Sequence, residues 1–185
     1  TYTVTRSSGT KPPSTALTVA VQAMPAEALM PSKPRILQAA DSGNGGELDM
    51  SSVSGDVTVR IDSWPHIAHG QRVWFRLEGR NADDSTYDKQ LARGTGDWVS
   101  WEWYNRGFKE FIIPYSELQR LSDGSQLMLE LKASFNQSLD EDQATPFPLR
   151  IYSIRAAFNG VAPSVKQAPG NVLNPMAAED ALTVV

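Results

Sequence analysis

The 185-residue chain contains no cysteine, so disulfide staples, thiolate metal sites and cysteine nucleophiles are all excluded. A secreted form must then be held together by its core or by bound ions. Histidine is nearly as scarce. The two present, His66 and His69, share one short loop beside Trp64-Pro65 and Gly70, which reads as a turn. A zinc site needs three or four ligands, so this pair points to no metal. A hydrolase triad needs a base, and no G-x-S-x-G nucleophile motif accompanies the two histidines. Basic residues are outnumbered, 17 Lys and Arg against 21 Asp and Glu, for a net charge of -4. No Lys/Arg cluster is present to neutralise phosphate, so nucleic acid is not an expected partner. The same deficit argues against an anionic membrane surface. No apolar run approaches the ~20 residues of a membrane-spanning helix, so membrane insertion is not expected either.

What the chain does have is enough apolar residue, 41%, to build a core. It also has signs of internal repetition. Pro34 opens P-R-I-L-Q-A-A and Pro163 opens P-S-V-K-Q-A-P; in both stretches a Leu, a Met and an apolar-Thr-Val triplet follow in the same order. At the other end, Tyr2–Arg6 and Ser14–Val21 form two alternating segments around a polar turn. They match the layout of Leu127–Phe135 followed by Leu149–Ile154. Both matches imply one period of about 130 residues. The expected organisation has four parts: residues 1–24 as the last two strands of a preceding repeat, 25–34 as a proline-rich linker, 35–160 as a complete domain, and 161–185 as the first strands of a following repeat. The chain then reads as a cut from a longer protein.

Strict alternation of apolar and polar residues predicts half-buried strands. Val57, Val59 and Ile61 alternate with Thr58, Arg60 and Asp62; Val73, Phe75 and Leu77 alternate with Trp74, Arg76 and Glu78. The clearest case is Leu127, Leu129, Leu131 and Ala133 against Met128, Glu130, Lys132 and Ser134. Further strands are expected at Trp98–Tyr104, Phe108–Ile113 and Leu149–Ala156, with 81–97 as a loop. Tyr115, Leu118 and Leu121 suit about two turns of helix after Pro114. About seven short strands with turn signals between them predict an all-β, immunoglobulin-like Greek-key sandwich with partial repeats at both ends.

Several segments carry a family resemblance: G-D-V-T-V-R-I from Gly55, W-P-H-I-A-H-G from Trp64, V-W-F-R-L-E-G from Val73, F-I-I-P from Phe111, L-S-D-G-S-Q-L-M-L-E-L-K from Leu121 and L-R-I-Y-S-I from Leu149. In this order the chain resembles the tandem immunoglobulin-like repeats of large surface and secreted, adhesin-type proteins of Gram-negative bacteria. The resemblance spans 34 to about 158. It implies an extracellular or cell-surface location and a non-catalytic stalk, spacer or interaction module. The implied partners are neighbouring repeats of the same chain, with a glycan or a host or matrix protein as the external one. No catalytic residue and no obligatory cofactor comes with it. Calcium at domain junctions is the one ion it suggests, with Asp41 to Glu47 and Asp140-Glu141-Asp142 as oxygen donors.

One stretch departs from the family pattern: Trp98-Val99-Ser100-Trp101-Glu102-Trp103-Tyr104 is unusually aromatic. As a strand it would place Val99, Trp101 and Trp103 on one face and Trp98, Ser100, Glu102 and Tyr104 on the other, so one set must lie outside the core. Trp74, on the polar side of its own strand, is a further outer aromatic. Exposed aromatic platforms stack on sugar rings or anchor protein partners. Trp74, Trp98, Trp101, Trp103 and Tyr104 are therefore the candidate ligand-binding residues, and a carbohydrate-binding β-sandwich is the alternative function. Glycoside hydrolysis would need two carboxylates across a cleft, from Glu102, Glu110 or Glu130. Alternation makes Glu102 and Glu130 ordinary solvent-facing residues.

Overall fold

The structure is a computed structural model that describes residues 24–157. The partial repeats expected at 1–24 and 161–185 lie outside the described residues, apart from Met24.

Among the described residues nine strands form two facing sheets: β1 (Arg35–Ile36), β2 (Glu47–Asp49), β3 (Val57–Asp62), β4 (Arg72–Arg80), β5 (Thr86–Trp98), β6 (Phe108–Ile113), β7 (Gln126–Ser134), β8 (Thr145–Pro146) and β9 (Arg150–Arg155). The smaller sheet runs β1-β3-β6. The larger runs β2-β9-β7-β4-β5, with β8 alongside β7. Having β9-β7-β4-β5 on one sheet and β3 and β6 on the other is an immunoglobulin-type Greek key. All pairings are antiparallel except β2 with β9. The expected all-β sandwich is the fold observed.

Alternation sets the core. Val57, Val59 and Ile61 of β3 are fully buried and face Phe75, Leu77, Leu127, Leu129 and Leu131 of the larger sheet. A one-residue slip in any of these strands would turn its apolar set to solvent. The Tyr152 side chain of β9 crosses this core. Its hydroxyl donates to the Gly43 carbonyl at 2.7 Å and accepts from the Ile36 N–H at 3.0 Å, which ties β9 to β1 and to the turn after it. Burial pushes the Tyr152 hydroxyl above its ordinary pKa. Gly43 admits this approach: its φ is +89°, and a Cβ there would lie 2.5 Å from the Ile36 carbonyl oxygen.

Three local outcomes differ from the sequence expectation. The stretch 81–97 is no loop: most of it belongs to β5, a 13-residue edge strand. The segment 25–34 contains a helical turn, α1 (Ala26–Leu29), and a 3-10 turn, Met30–Ser32. Leu29 is buried in the core, and the buried Ser32 hydroxyl donates to the Ser63 carbonyl at 2.8 Å. Trp98–Tyr104 is not a strand. Trp98 ends β5, and Trp101–Arg106 forms a short helix, α2. A third helical turn, α3 (Tyr115–Leu118), is shorter than expected but buries Leu118 and Leu121 as its spacing implied.

Strand directions give the domain two poles. β3 ends beside Gly107 and α2, and β1 starts alongside that end, so the described chain comes in at the α2 pole. β7 ends against the start of β4 at the same pole. β9 runs antiparallel to β7 and finishes beside its start, so the chain leaves at the opposite pole.

Candidate functional site

The α2 helix follows from its caps. The Ser100 hydroxyl accepts from the Trp103 N–H at 3.1 Å, Glu102 sits in the first turn, and Arg106 in the last. Gly107 ends the helix in the left-handed region, at φ +77°. An Arg106–Glu102 pair at 3.0 Å spans one turn of its exposed side. Helical rather than strand spacing redistributes the aromatics: Trp101 and Tyr104 face solvent and Trp103 faces the core.

Trp103 is 4% exposed and packs edge-on against Trp64 at 5.5 Å, which in turn meets Phe147 at 5.0 Å. Trp64 also organises the loop 63–71. Its indole N–H donates to the Gln71 side-chain oxygen at 3.0 Å, and the Gln71 amide donates to the His66 carbonyl at 2.9 Å. The loop is then pinned to the residue before the Ser100 cap. The Gly70 N–H donates to the Val99 carbonyl, and the Val99 N–H to the Gln71 carbonyl. This double tether brings His69 to the outer face of α2. Its ring stacks on Trp101 at 4.4 Å with 7° between the planes, and Tyr104 meets Trp101 edge-on at 5.9 Å. Trp101 is 61% exposed and Tyr104 46%. Three rings thus form one solvent-facing aromatic platform at the α2 pole.

The five candidate aromatics do not converge on one surface. Trp101 and Tyr104 are brought together, with His69, which sequence reasoning had set aside as a turn residue. Trp103 is a core residue. Trp98, 45% exposed, stands at the edge of the sandwich beneath Arg72, whose guanidinium lies 5.3 Å from its ring. Trp74 does point to the outer face of the larger sheet, yet it is only 7% exposed. The pairing of β4 with β5 shifts register near Trp74, and Gly94 folds onto the indole. A Cβ at Gly94 would lie 2.1 Å from that ring. Trp74 lines a polar groove of about 400 Å³ with Asp88, Gln90, Arg93 and Glu141. Beneath it, Arg76 pairs with Glu130 at 2.6 Å and Lys132 with Glu141 at 2.9 Å.

The carboxylates weighed for glycoside chemistry are engaged in ion pairs. Glu102 pairs with Arg106, Glu110 with Arg60 at 3.8 Å, and Glu130 with Arg76 and Lys132. Among the described residues no three His, Asp or Glu side chains gather as ligands around one point. Asp140 instead caps the 3-10 turn Glu141–Gln143, accepting from the Asp142 N–H at 3.1 Å. No helix among the described residues is long and apolar enough to cross a membrane.

No protein-family model matches the chain, and no curated protein matches it. One solved structure, described as the crystal structure of a Br derivative of BhCBM56, is similar at a TM-score of 0.27. Identity is 12%, over 55% of this chain and 82% of that chain. A likeness of that size decides nothing, so the functional reading rests on the geometry of the chain itself.

Proposed function

We propose that this β-sandwich is a non-catalytic binding module that takes carbohydrate on the aromatic platform of α2. The observation that carries the reading is Trp101, a mostly exposed indole held at a fixed angle by His69 on one side and Tyr104 on another. An exposed indole offers a flat apolar face to a partner, and a pre-set ring loses little freedom when a sugar face stacks on it. The engaged state of Glu102, Glu110 and Glu130 supports a binding role rather than hydrolysis. The test is retention on a glycan array for the wild type against Trp101→Ala and Tyr104→Ala, with thermal melts to confirm folding. Retention that falls about tenfold or more in both variants is expected, since central aromatic anchors dominate such contacts. A wild type that binds nothing across the array overturns the reading.

A second reading, a spacer in a serial array of surface-exposed immunoglobulin-like modules, is favoured by the two poles. A chain that comes in at one end and leaves at the other lets identical units follow one another in line. The two readings compete for the α2 pole, because a preceding unit would join there, on the side that carries the platform. Scattering from a longer stretch of the parent protein would show a rod for this reading and a compact particle against it.

A further inference from the structure

Beside α2, the free edges of the two sheets, β5 and β6, leave an opening into the sandwich of about 210 Å³. Its walls are the rings of Trp98, Trp103 and Phe111, its floor is Val73 and Ala92, and Lys109 and Asp97 also line it. The position of Lys109 is unusual for a core pattern. In the β3–β6 register Ile61 lies opposite Lys109, Val59 opposite Phe111 and Val57 opposite Ile113. These three β3 residues all face the core, so Lys109 belongs to the inward face of its strand. A lysine there guards a sheet edge in many sandwiches, but guarding does not require a cavity beside it. Among the described residues neither Lys109 nor Asp97 joins an ion pair. Lys109 lies 5.9 Å from the Phe111 ring, and the Asp97 carboxylate accepts one backbone N–H, from Arg93, at 2.8 Å.

From this lining we infer that the opening is a subsite for the single sugar residue at a chain end, with Trp98 against the ring face and Lys109 and Asp97 taking hydroxyl groups. The inference rests on the carbohydrate reading above and deepens it. Size argues for one ring: an apolar cavity of roughly 150 Å³ accepts one benzene, and about 210 Å³ adds room for the hydroxyls of a hexose but not for a second ring. Chemistry argues for a polyol. A purely apolar ligand would strip water from an ammonium and a carboxylate and give nothing back, whereas sugar hydroxyls both donate and accept. A charged ligand would be repelled by one of the two groups. The wall residues also adjoin the platform in the chain, since Trp98 and Trp103 flank Trp101.

Free monosaccharides separate this subsite from the platform. Saturation-transfer NMR is run with glucose, galactose, mannose and N-acetylglucosamine on the wild type and on Lys109→Met, Asp97→Asn and Trp101→Ala. The expected result is saturable binding of at least one sugar. That binding weakens about tenfold in Lys109→Met and in Asp97→Asn, as loss of a charge-assisted hydrogen bond implies, and is still measurable in Trp101→Ala, where the platform no longer contributes. Lys109→Arg, which keeps the charge, restores part of it. No saturable monosaccharide binding, or binding that survives both Lys109→Met and Asp97→Asn, overturns the inference. If the wild type is still retained on polysaccharide in that case, the platform reading stands and only the chain-end subsite falls. If Lys109→Met instead aggregates while Asp97→Asn binds normally, Lys109 is an edge guard and the inference is again overturned.

Discussion

The two faces of α2 carry the same kind of residue for opposite purposes. On the inner face Trp103 meets Trp64 edge-on, Trp64 in turn meets Phe147, and Trp103 is almost sealed from water; on the outer face Trp101 and Tyr104 pack on each other yet are left open. The inner ring holds the helix on the sandwich, and the outer rings use the rigidity that this anchoring gives. Residue type alone therefore says little about which tryptophan binds; its phase on the helix decides.

The comparison breaks most visibly through Trp103→Ala. Removing a buried indole costs about 3–5 kcal/mol of stability. Chemical denaturation should show this, and glycan retention should fall with it because α2 loses its footing. Tyr152→Phe is the control from the same core, away from the helix. It leaves the Ile36 N–H without its acceptor, at about 1–3 kcal/mol, while retention by the folded protein stays unchanged. It also has a pH signature. The unfolded tyrosine ionises near pH 10, whereas burial holds the folded hydroxyl neutral to higher pH. The stabilisation it contributes is thus complete below about pH 10 and is lost as pH rises from there through the folded pKa. Melting temperature should fall less steeply above that pH in Tyr152→Phe than in the wild type.

Ser100→Ala comes next, since loss of an N-cap side chain costs about 1 kcal/mol. Its melt should shift modestly while the platform loosens. Trp101→Ala has the smallest effect on stability, within about 0.5 kcal/mol for an exposed side chain, and the largest on binding among residues that leave the fold intact. A melt for Trp101→Ala as damaged as that for Trp103→Ala would erase the distinction between the two faces.

The sequence made the interior strands legible because their burial alternates as their residues do. β3 buries every second residue, and β7 does so from Leu127 to Ala133. β5 was not legible. An edge strand with few buried positions, carrying Asp88, Lys89, Arg93 and two glycines, has too little apolar periodicity to separate it from a loop. The α2 segment was misassigned because four aromatics in seven residues favour a strand by propensity. The contrary signals were present in a serine cap, a Glu-to-Arg step of four and a terminal glycine. His69 could not have been placed from sequence. Its position depends on the Trp64–Gln71 closure and on the tether to Val99, both set by tertiary structure. The covering of Trp74 likewise depends on an irregularity between β4 and β5 that no periodicity announces.

The parallel pairing of β2 with β9, the one such pairing among the described residues, has a mechanical consequence. Tension applied across the two poles would draw β2 toward the side where the chain comes in and β9 toward the side where it leaves. The backbone bonds joining Glu47–Asp49 to Ser153–Arg155 lie across that pull. They would be sheared together rather than opened one by one like a zipper, so this short rung must fail all at once.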